Sequence, residues 1–155
     1  MEKKPYFPLF INISKKRIVV IGGGKIAARR IEALLEFSDN ISVVAPEVTE
    51  RLRQLNKKKK IQWIPDAYHE SVLAHADLVL AATNDADCNM RVVEDCKAKN
   101  IPVNTSHKKE LCDFYFPGIL CQENLVMGFC SGGTDHRKVR EIREKVEQIL
   151  KEDCS

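Results

Sequence analysis

The segment RIVVIGGGKIAARRIEALLEF, residues 17–37, restricts the fold more than any other part of the chain. Its first five residues are an almost unbroken β-branched run, the pattern of a strand covered on both faces. Three glycines follow at once. Ile26, Ala27, Arg30, Ile31, Leu34 and Leu35 then recur at helical spacing. The expectation is strand, tight glycine turn, helix. Gly22, Gly24 and Ala27 form G-x-G-x-x-A across that turn, and each has a physical task. Gly22 permits the tight turn, Gly24 lets backbone approach a pyrophosphate, and Ala27 lets the helix pack closely on the strand. The helix N-terminus then offers unbonded N–H groups and the positive end of its dipole. The spacing predicts a dinucleotide site. The alternative is a glycine-rich turn in a fold that has lost its ligand.

The rest of the chain alternates in the same way. ISVVA at 41–45 reads as a second strand, and PEVTERLRQL as a helix with Pro46 near its start. IQWI at 61–64, DLVLAAT at 77–83 and IPVN at 101–104 read as further strands. HESVLAHA and DCNMRVVEDCKAKN supply the helices between them, and the lysine run at 57–60 is a solvated connection. Strands and helices at these intervals imply parallel pairing through right-handed crossovers. The expected fold class is α/β, a Rossmann-like doubly wound parallel sheet of order 3-2-1-4-5 over residues 1–113. The rhythm then changes. Residues 114–120 and 125–130 are apolar runs parted by CQEN, which predicts a hairpin. A closing helix carries Val139, Ile142, Val146 and Ile149 as its apolar stripe. Residues 114–155 are thus expected as a small second region. A hairpin and one helix cannot bury themselves. They must pack on the sheet, on a partner subunit, or on a segment outside this sequence.

Bulk properties remove several classes. Net charge is +3, too small to argue for nucleic acid. There is no apolar run of membrane-spanning length and no signal-peptide pattern in MEKKPYFPLF, so a cytoplasmic protein is expected. The six cysteines (Cys88, Cys96, Cys112, Cys121, Cys130 and Cys154) form no CxxC pair, which fits neither a zinc knuckle nor a disulfide framework.

Ligands of open α/β sheets sit outside the carboxyl ends of the strands. That rule gathers Gly22, Gly23, Gly24, Lys25 and Ile26 with Pro46, Glu47, Thr83 and Asn84 as candidate cofactor residues. Glu47 stands just past the second strand, where an acid commonly holds the adenosine ribose. It serves either that purpose or its own helix N-terminus. No arginine follows that strand directly, which favours NAD over NADP. The same edge receives VNTSHKKELCDFYFP, residues 103–117, with His107, Cys112 and Asp113 close together. A dedicated zinc site from those three is disfavoured by the irregular spacing.

FPLFINISKKRIVVIGGGKIAARRIEALL, SVVAPE, LVLAATND, ELCDFYFPG and SGGT, in this order, resemble the siroheme synthase N-terminal module. The likeness runs from about Pro8 to Leu150. It implies an NAD-dependent precorrin-2 dehydrogenase that makes sirohydrochlorin. In some members the same module inserts ferrous iron as a sirohydrochlorin ferrochelatase. It also implies a homodimer formed through the region after the sheet. Asn104 and Ser131 become candidate substrate-binding residues, and Ser131 matches a serine that is phosphorylated in one branch. Lys108, Lys109, Arg137 and Lys138 become candidates to attract the carboxylate-rich tetrapyrrole. Two departures stand out. Members carry an Asp shortly after the fifth strand, in a VNVVD-like sequence, where this chain has VNTSH. His107 is therefore the candidate catalytic residue, as a general base or a ligand during chelation. Members also continue into a further helical segment beyond the last helix, which is expected to be missing here, as a natural short form or a truncation. The rival expectation is a non-catalytic relative that carries or senses a nucleotide or tetrapyrrole.

Overall fold

The computed structural model describes residues 4–153. These form two compact units. One is Ile11–Phe114, and the other joins the described residues up to Phe10 with those from Tyr115 onward.

In the first unit the strands are β1 (Ile18–Ile21), β2 (Ile41–Val44), β3 (Gln62–Ile64), β4 (Leu78–Ala81) and β5 (Val103–Thr105). The helices are α1 (Lys25–Leu34), α2 (Glu50–Lys57) and α3 (Ala86–Ala98). All strand pairs are parallel, in the order β3-β2-β1-β4-β5 that the alternation predicts. β1 is central, and Ile18, Val19, Val20 and Ile21 are all but fully buried. Burial of such a side chain contributes roughly 1.5–3 kcal/mol, so the strand that carries the glycine turn is firmly held. Val19 and Ile21 join Val79, Val92, Val93, Cys96 and Val103 in the core beneath α3.

Several boundaries differ from the sequence pattern. Pro46 lies outside α2, which starts at Glu50 because Thr49 caps it and accepts from the Leu52 amide. HESVLAHA yields one 3₁₀ stretch, Glu70–Leu73, which ends before His75, whose φ is 61°. β5 starts two residues later than IPVN implies, since Pro102 has no amide to give a ladder.

In the second unit β6 (Gly118–Gln122) and β7 (Leu125–Phe129) pair antiparallel, and α4 (His136–Asp153) follows. The hairpin turns at Glu123, whose φ is 52°, so Cys121 and Gln122 belong to the strand rather than to the connection. Val139 packs on Gly118, where an added Cβ would lie 2.9 Å from Val139 Cγ1. The expected stripe on α4 divides. Val139 and Val146 are half-buried, whereas Ile142 and Ile149 stay 41% and 56% exposed. The long stems of Arg143 and Glu147 take part of the inner face instead. Tyr6 stacks on Tyr115 with ring centroids 4.2 Å apart.

Candidate functional site

The carboxyl edge of the sheet is assembled around Gly22. Its φ is +118°, and an added Cβ would stand 2.4 Å from the Ala82 carbonyl oxygen and 2.9 Å from the Thr83 nitrogen. The turn therefore fits against the end of β4 only because the residue is glycine. Gly22 N–H donates to Val44 O (2.9 Å), and Ala82 N–H donates to Ile21 O (2.8 Å). On the other side the Gly23 carbonyl accepts from Thr49 N–H at 2.9 Å, which fastens the β2–α2 connection to the turn. Gly24 differs from both. It precedes α1 in an extended conformation, with nothing within 4 Å of the place its Cβ would occupy.

That open space lies at the start of α1. Its first turn holds no acidic side chain and no side-chain cap. The first amides of a helix have no partner within it, and the Ala28 N–H donates back to Gly24 O at 3.0 Å. Lys25 and Ile26 are exposed there, Ile26 by 42%. A glycine cradle with open room, free amides, the positive helix end and one lysine suits a diphosphate. Pro46 and Glu47 stand exposed on the adjoining connection.

Thr83 closes the opposite wall. Its Oγ1 lies 2.8 Å from Asn89 Oδ1 and 2.9 Å from Asp85 O, and accepts from the Asp85 amide. Asn89 is 2% exposed and also receives the Thr83 N–H and donates to Thr83 O. It fixes this wall, and its only signal in the sequence is a polar residue on the buried face of a helix. Asn84 is exposed beside it.

The end of β5 meets the same edge, where Ser106 N–H donates to Ala81 O at 3.0 Å. Asn104 is 3% exposed and bonded at both ends of its amide: Oδ1 accepts from Arg30 Nη1 (2.7 Å) and Nδ2 donates to Phe114 O (2.8 Å). Its place in the structure is that of a tie between elements. Arg30 was legible only as part of a helical stripe. Burial lowers its pKa from the ordinary value, with Cys112 acting in the opposite sense. A guanidinium keeps its charge regardless.

The reactive-looking cluster of His107, Cys112 and Asp113 separates into different roles. β5 is an edge strand, and the amides of Val103 and Thr105 face away from β4. Asp113 Oδ2 accepts from Val103 N–H at 2.9 Å, while Asp113 N–H donates to Val103 O at 2.9 Å. Cys112 Sγ accepts from Thr105 N–H and donates to Thr105 O, both at 3.3 Å. These two side chains cover the open edge. Burial pushes the Cys112 thiol above its ordinary value, which disfavours a reactive thiolate. Cys96 is likewise pushed up to about 12, by burial first and Asp95 second. Among the described residues no group of three His, Cys, Asp or Glu side chains is placed to hold a metal. His107 is exposed, its backbone amide donates to Thr105 Oγ1 at 3.3 Å, and no hydrogen bond of its imidazole is seen among the described residues. Five cysteines are free thiols, and Cys154 lies outside the described residues.

Ser131 belongs to the second unit. Its Oγ accepts from Asp135 N–H at 2.9 Å, and Asp135 in turn receives the Lys138 amide, so both side chains order the start of α4. Arg137 pairs with Glu141 at 2.8 Å, while Lys108 and Lys109 are exposed in the first unit. A cavity of about 570 Å³ lies at the opposite, amino-terminal edge of the sheet, between Glu70, His75 and Lys99. It shares no residue with the glycine site.

A family model described as "Putative NAD(P)-binding" matches residues 9–118. The chain belongs to this NAD(P)-binding family. The match covers the glycine turn, both walls of the cleft and the loop after β5. Curated relatives extend the likeness. The chain is 38% identical over 144 residues to the probable multifunctional siroheme biosynthesis protein HemA of Ruminiclostridium josui, covering 92% of this chain and 28% of that protein. It is 35% identical over 145 residues to the siroheme synthase of Baumannia cicadellinicola subsp. Homalodisca coagulata, covering 94% and 31%. It thus spans less than a third of the length of these relatives. The solved structure of SirC, precorrin-2 dehydrogenase, superposes with a TM-score of 0.80 at 23% identity over 92% of this chain and 70% of that one. At that identity the likeness establishes the fold.

Proposed function

We propose that the chain is an NAD-dependent precorrin-2 dehydrogenase module that makes sirohydrochlorin. The observation that carries this reading is the open, acid-free N-terminus of α1 behind the glycine cradle, in a chain that aligns along nearly its whole length with siroheme synthases. Gly22 to Ile26 would hold the diphosphate through backbone amides. Glu47 is the candidate partner of the adenosine ribose, and no arginine follows β2 directly, so NAD is preferred to NADP. Thr83 and Asn84 line the opposite wall.

Bound NAD supplies the hydride acceptor. The protein's own task is to orient the tetrapyrrole and remove one proton. His107 is the group assigned to that proton, because a neutral imidazole serves as a base near neutral pH. Its exposure leaves the ring able to turn toward a substrate. Lys108 and Lys109 beside it, with Arg137 and Lys138 in the second unit, are assigned to attraction of substrate carboxylates. Ser131 and Asn104 act by ordering the backbone around the substrate. Iron insertion into sirohydrochlorin is the further activity the resemblance implies, with ferrous iron as a substrate. The reaction is placed in the cytoplasm. Among the described residues no helix is long and apolar enough to cross a membrane.

The test is absorbance of sirohydrochlorin after mixing the chain with precorrin-2 and NAD. Turnover is expected, and His107→Ala should lower kcat by about 10²–10⁴-fold with NAD affinity little changed. A second reading, a non-catalytic carrier or sensor, rests on the imidazole in place of the family carboxylate. An inactive parent beside an active His107→Asp variant would overturn the enzymatic reading. A parent and variant that bind NAD and turn over nothing would establish the carrier.

A further inference from the structure

Arg30 sits within two turns of the N-terminus of α1, on the helix whose start forms the dinucleotide cradle. Its guanidinium reaches β5, where Nη1 meets the buried Asn104 Oδ1 at 2.7 Å. Asn104 passes the connection on, since Nδ2 donates to Phe114 O at 2.8 Å. One charged group on α1 is therefore tied to both ends of the segment 104–114. Between those ends stand Thr105, His107, Cys112 and Asp113. The Arg30 charge also acts on the Cys112 thiol that clasps Thr105.

The energetics favour a role beyond filling space. Desolvating a guanidinium is costly, and a well-packed apolar pair would fit the same gap without that cost. What a short charge-assisted bond adds is direction and distance. The segment it holds is of the kind that opens readily. Ser106 to Glu110 are all exposed, and the segment's one helical element is a single 3₁₀ turn, Lys109–Leu111. A helix that moves as a body, joined by a fixed bond to a loosely held loop, can transmit a change at its N-terminus to that loop.

We propose that Arg30 is a positioning residue that couples dinucleotide binding at the start of α1 to the order of the 104–114 loop, and so sets where His107 stands. This rests on the dinucleotide reading of the glycine site. Binding at the cradle fixes α1, Arg30 then fixes Asn104 and Phe114, and the loop between them loses its freedom to open. Coupling between sites is reciprocal, so a ligand that orders the loop also tightens dinucleotide binding.

The test uses the full chain. NAD binding is measured by calorimetry, and hydrogen–deuterium exchange is followed at the amides of Val103, Thr105 and Asp113 with and without saturating NAD. In the parent, NAD is expected to slow exchange at these amides by about 5- to 20-fold, the lower part of the range of ordinary coupling between sites. Arg30→Met should still bind NAD and show less than about 2-fold slowing, with Arg30→Lys restoring part of the effect. Ile31→Val, a plain core truncation on the same helix, should respond like the parent and so controls for lost stability. If Arg30→Met does not fold, Arg30→Gln takes its place, keeping a donor but neither charge nor reach. Full NAD-induced protection in folded Arg30→Met or Arg30→Gln would overturn the proposal, as would a parent that binds NAD with no change in the loop. A parent that binds no NAD removes the dinucleotide reading itself, and calorimetry alone reveals that case.

Discussion

The three consecutive glycines are not equivalent, and the difference can be measured. Gly22 combines a positive φ with a 2.4 Å approach to Ala82 O, so Gly22→Ala faces both backbone strain and collision with backbone that cannot yield. A loss of about 1–3 kcal/mol or more in denaturant unfolding is expected, with NAD binding lost alongside. Gly24 is extended and its Cβ position is open, so Gly24→Ala should leave stability within about 0.5 kcal/mol of the parent. The added methyl would instead project where a diphosphate approaches the helix. Its expected effect is a drop in NAD affinity of about tenfold or more, or ~1.4 kcal/mol, seen by calorimetry without a stability change. Gly24→Ala with unchanged affinity would place the diphosphate elsewhere. The motif spacing identified these residues. It could not separate a glycine required by the fold from one that leaves room for a ligand, because that depends on what stands across the turn.

Both edge strands of the sheet are closed by side chains from nearby in the chain, and that device explains the loop after β5. The outward Trp63 amide on β3 meets Asn56 Oδ1 at 2.9 Å, and the outward Val103 amide on β5 meets Asp113 Oδ2. Asp113→Ala leaves that amide without its acceptor. It should cost about 1–3 kcal/mol of stability in urea, while His107→Ala should cost little. Strand starts are tied too. Asp77, ahead of β4, accepts from the Arg17 amide at 2.8 Å and pairs with Lys16 at 3.2 Å. The Arg17 hydrogen bond, then Lys16, hold its carboxyl below the ordinary carboxylate value. A depressed folded-state value stabilises above the unfolded carboxylate value and is lost as pH falls through the folded one. The stability gap between parent and Asp77→Asn should therefore be present near neutral pH and close in acid, as melting curves across that range would record. A gap independent of pH would mean that the charge has no part in the tie. Periodicity made the five strands and their order legible, since a buried parallel sheet writes itself as β-branched runs. The edge closures were not legible. Cys112 and Asp113 look like ligands in a linear sequence, and only the pairing of β5 shows that they face unpaired amides. Pro46 misled for a similar reason, because Thr49 offered the better cap three residues on.

At the scale of the whole molecule, the second unit raises the question of what covers it. A hairpin and one helix make too small a core to bury their apolar residues alone. Within that unit Leu125 and Val126 on β7 are 54% and 41% exposed, and Ile142 and Ile149 lie one heptad apart on α4, also exposed. Phe7, Leu9 and Phe10 add further exposed apolar surface to the same unit. So many exposed large apolar residues in so small a unit argue for an association surface. A net charge of only +3 does little to keep copies apart. We propose a second copy of the chain as the partner, in keeping with the homodimer the resemblance implies. Sedimentation of the parent at micromolar concentration should then give a dimer. The double variant Ile142→Glu/Ile149→Glu should sediment as a monomer, because it places a charge at two points of the stripe that a two-fold interface would bury twice over. NAD affinity should survive in that variant, since the glycine cradle is built wholly within Ile11–Phe114. A monomeric parent would remove the second copy as occupant. A variant that is monomeric but has lost NAD binding would instead make the cradle dependent on the partner subunit.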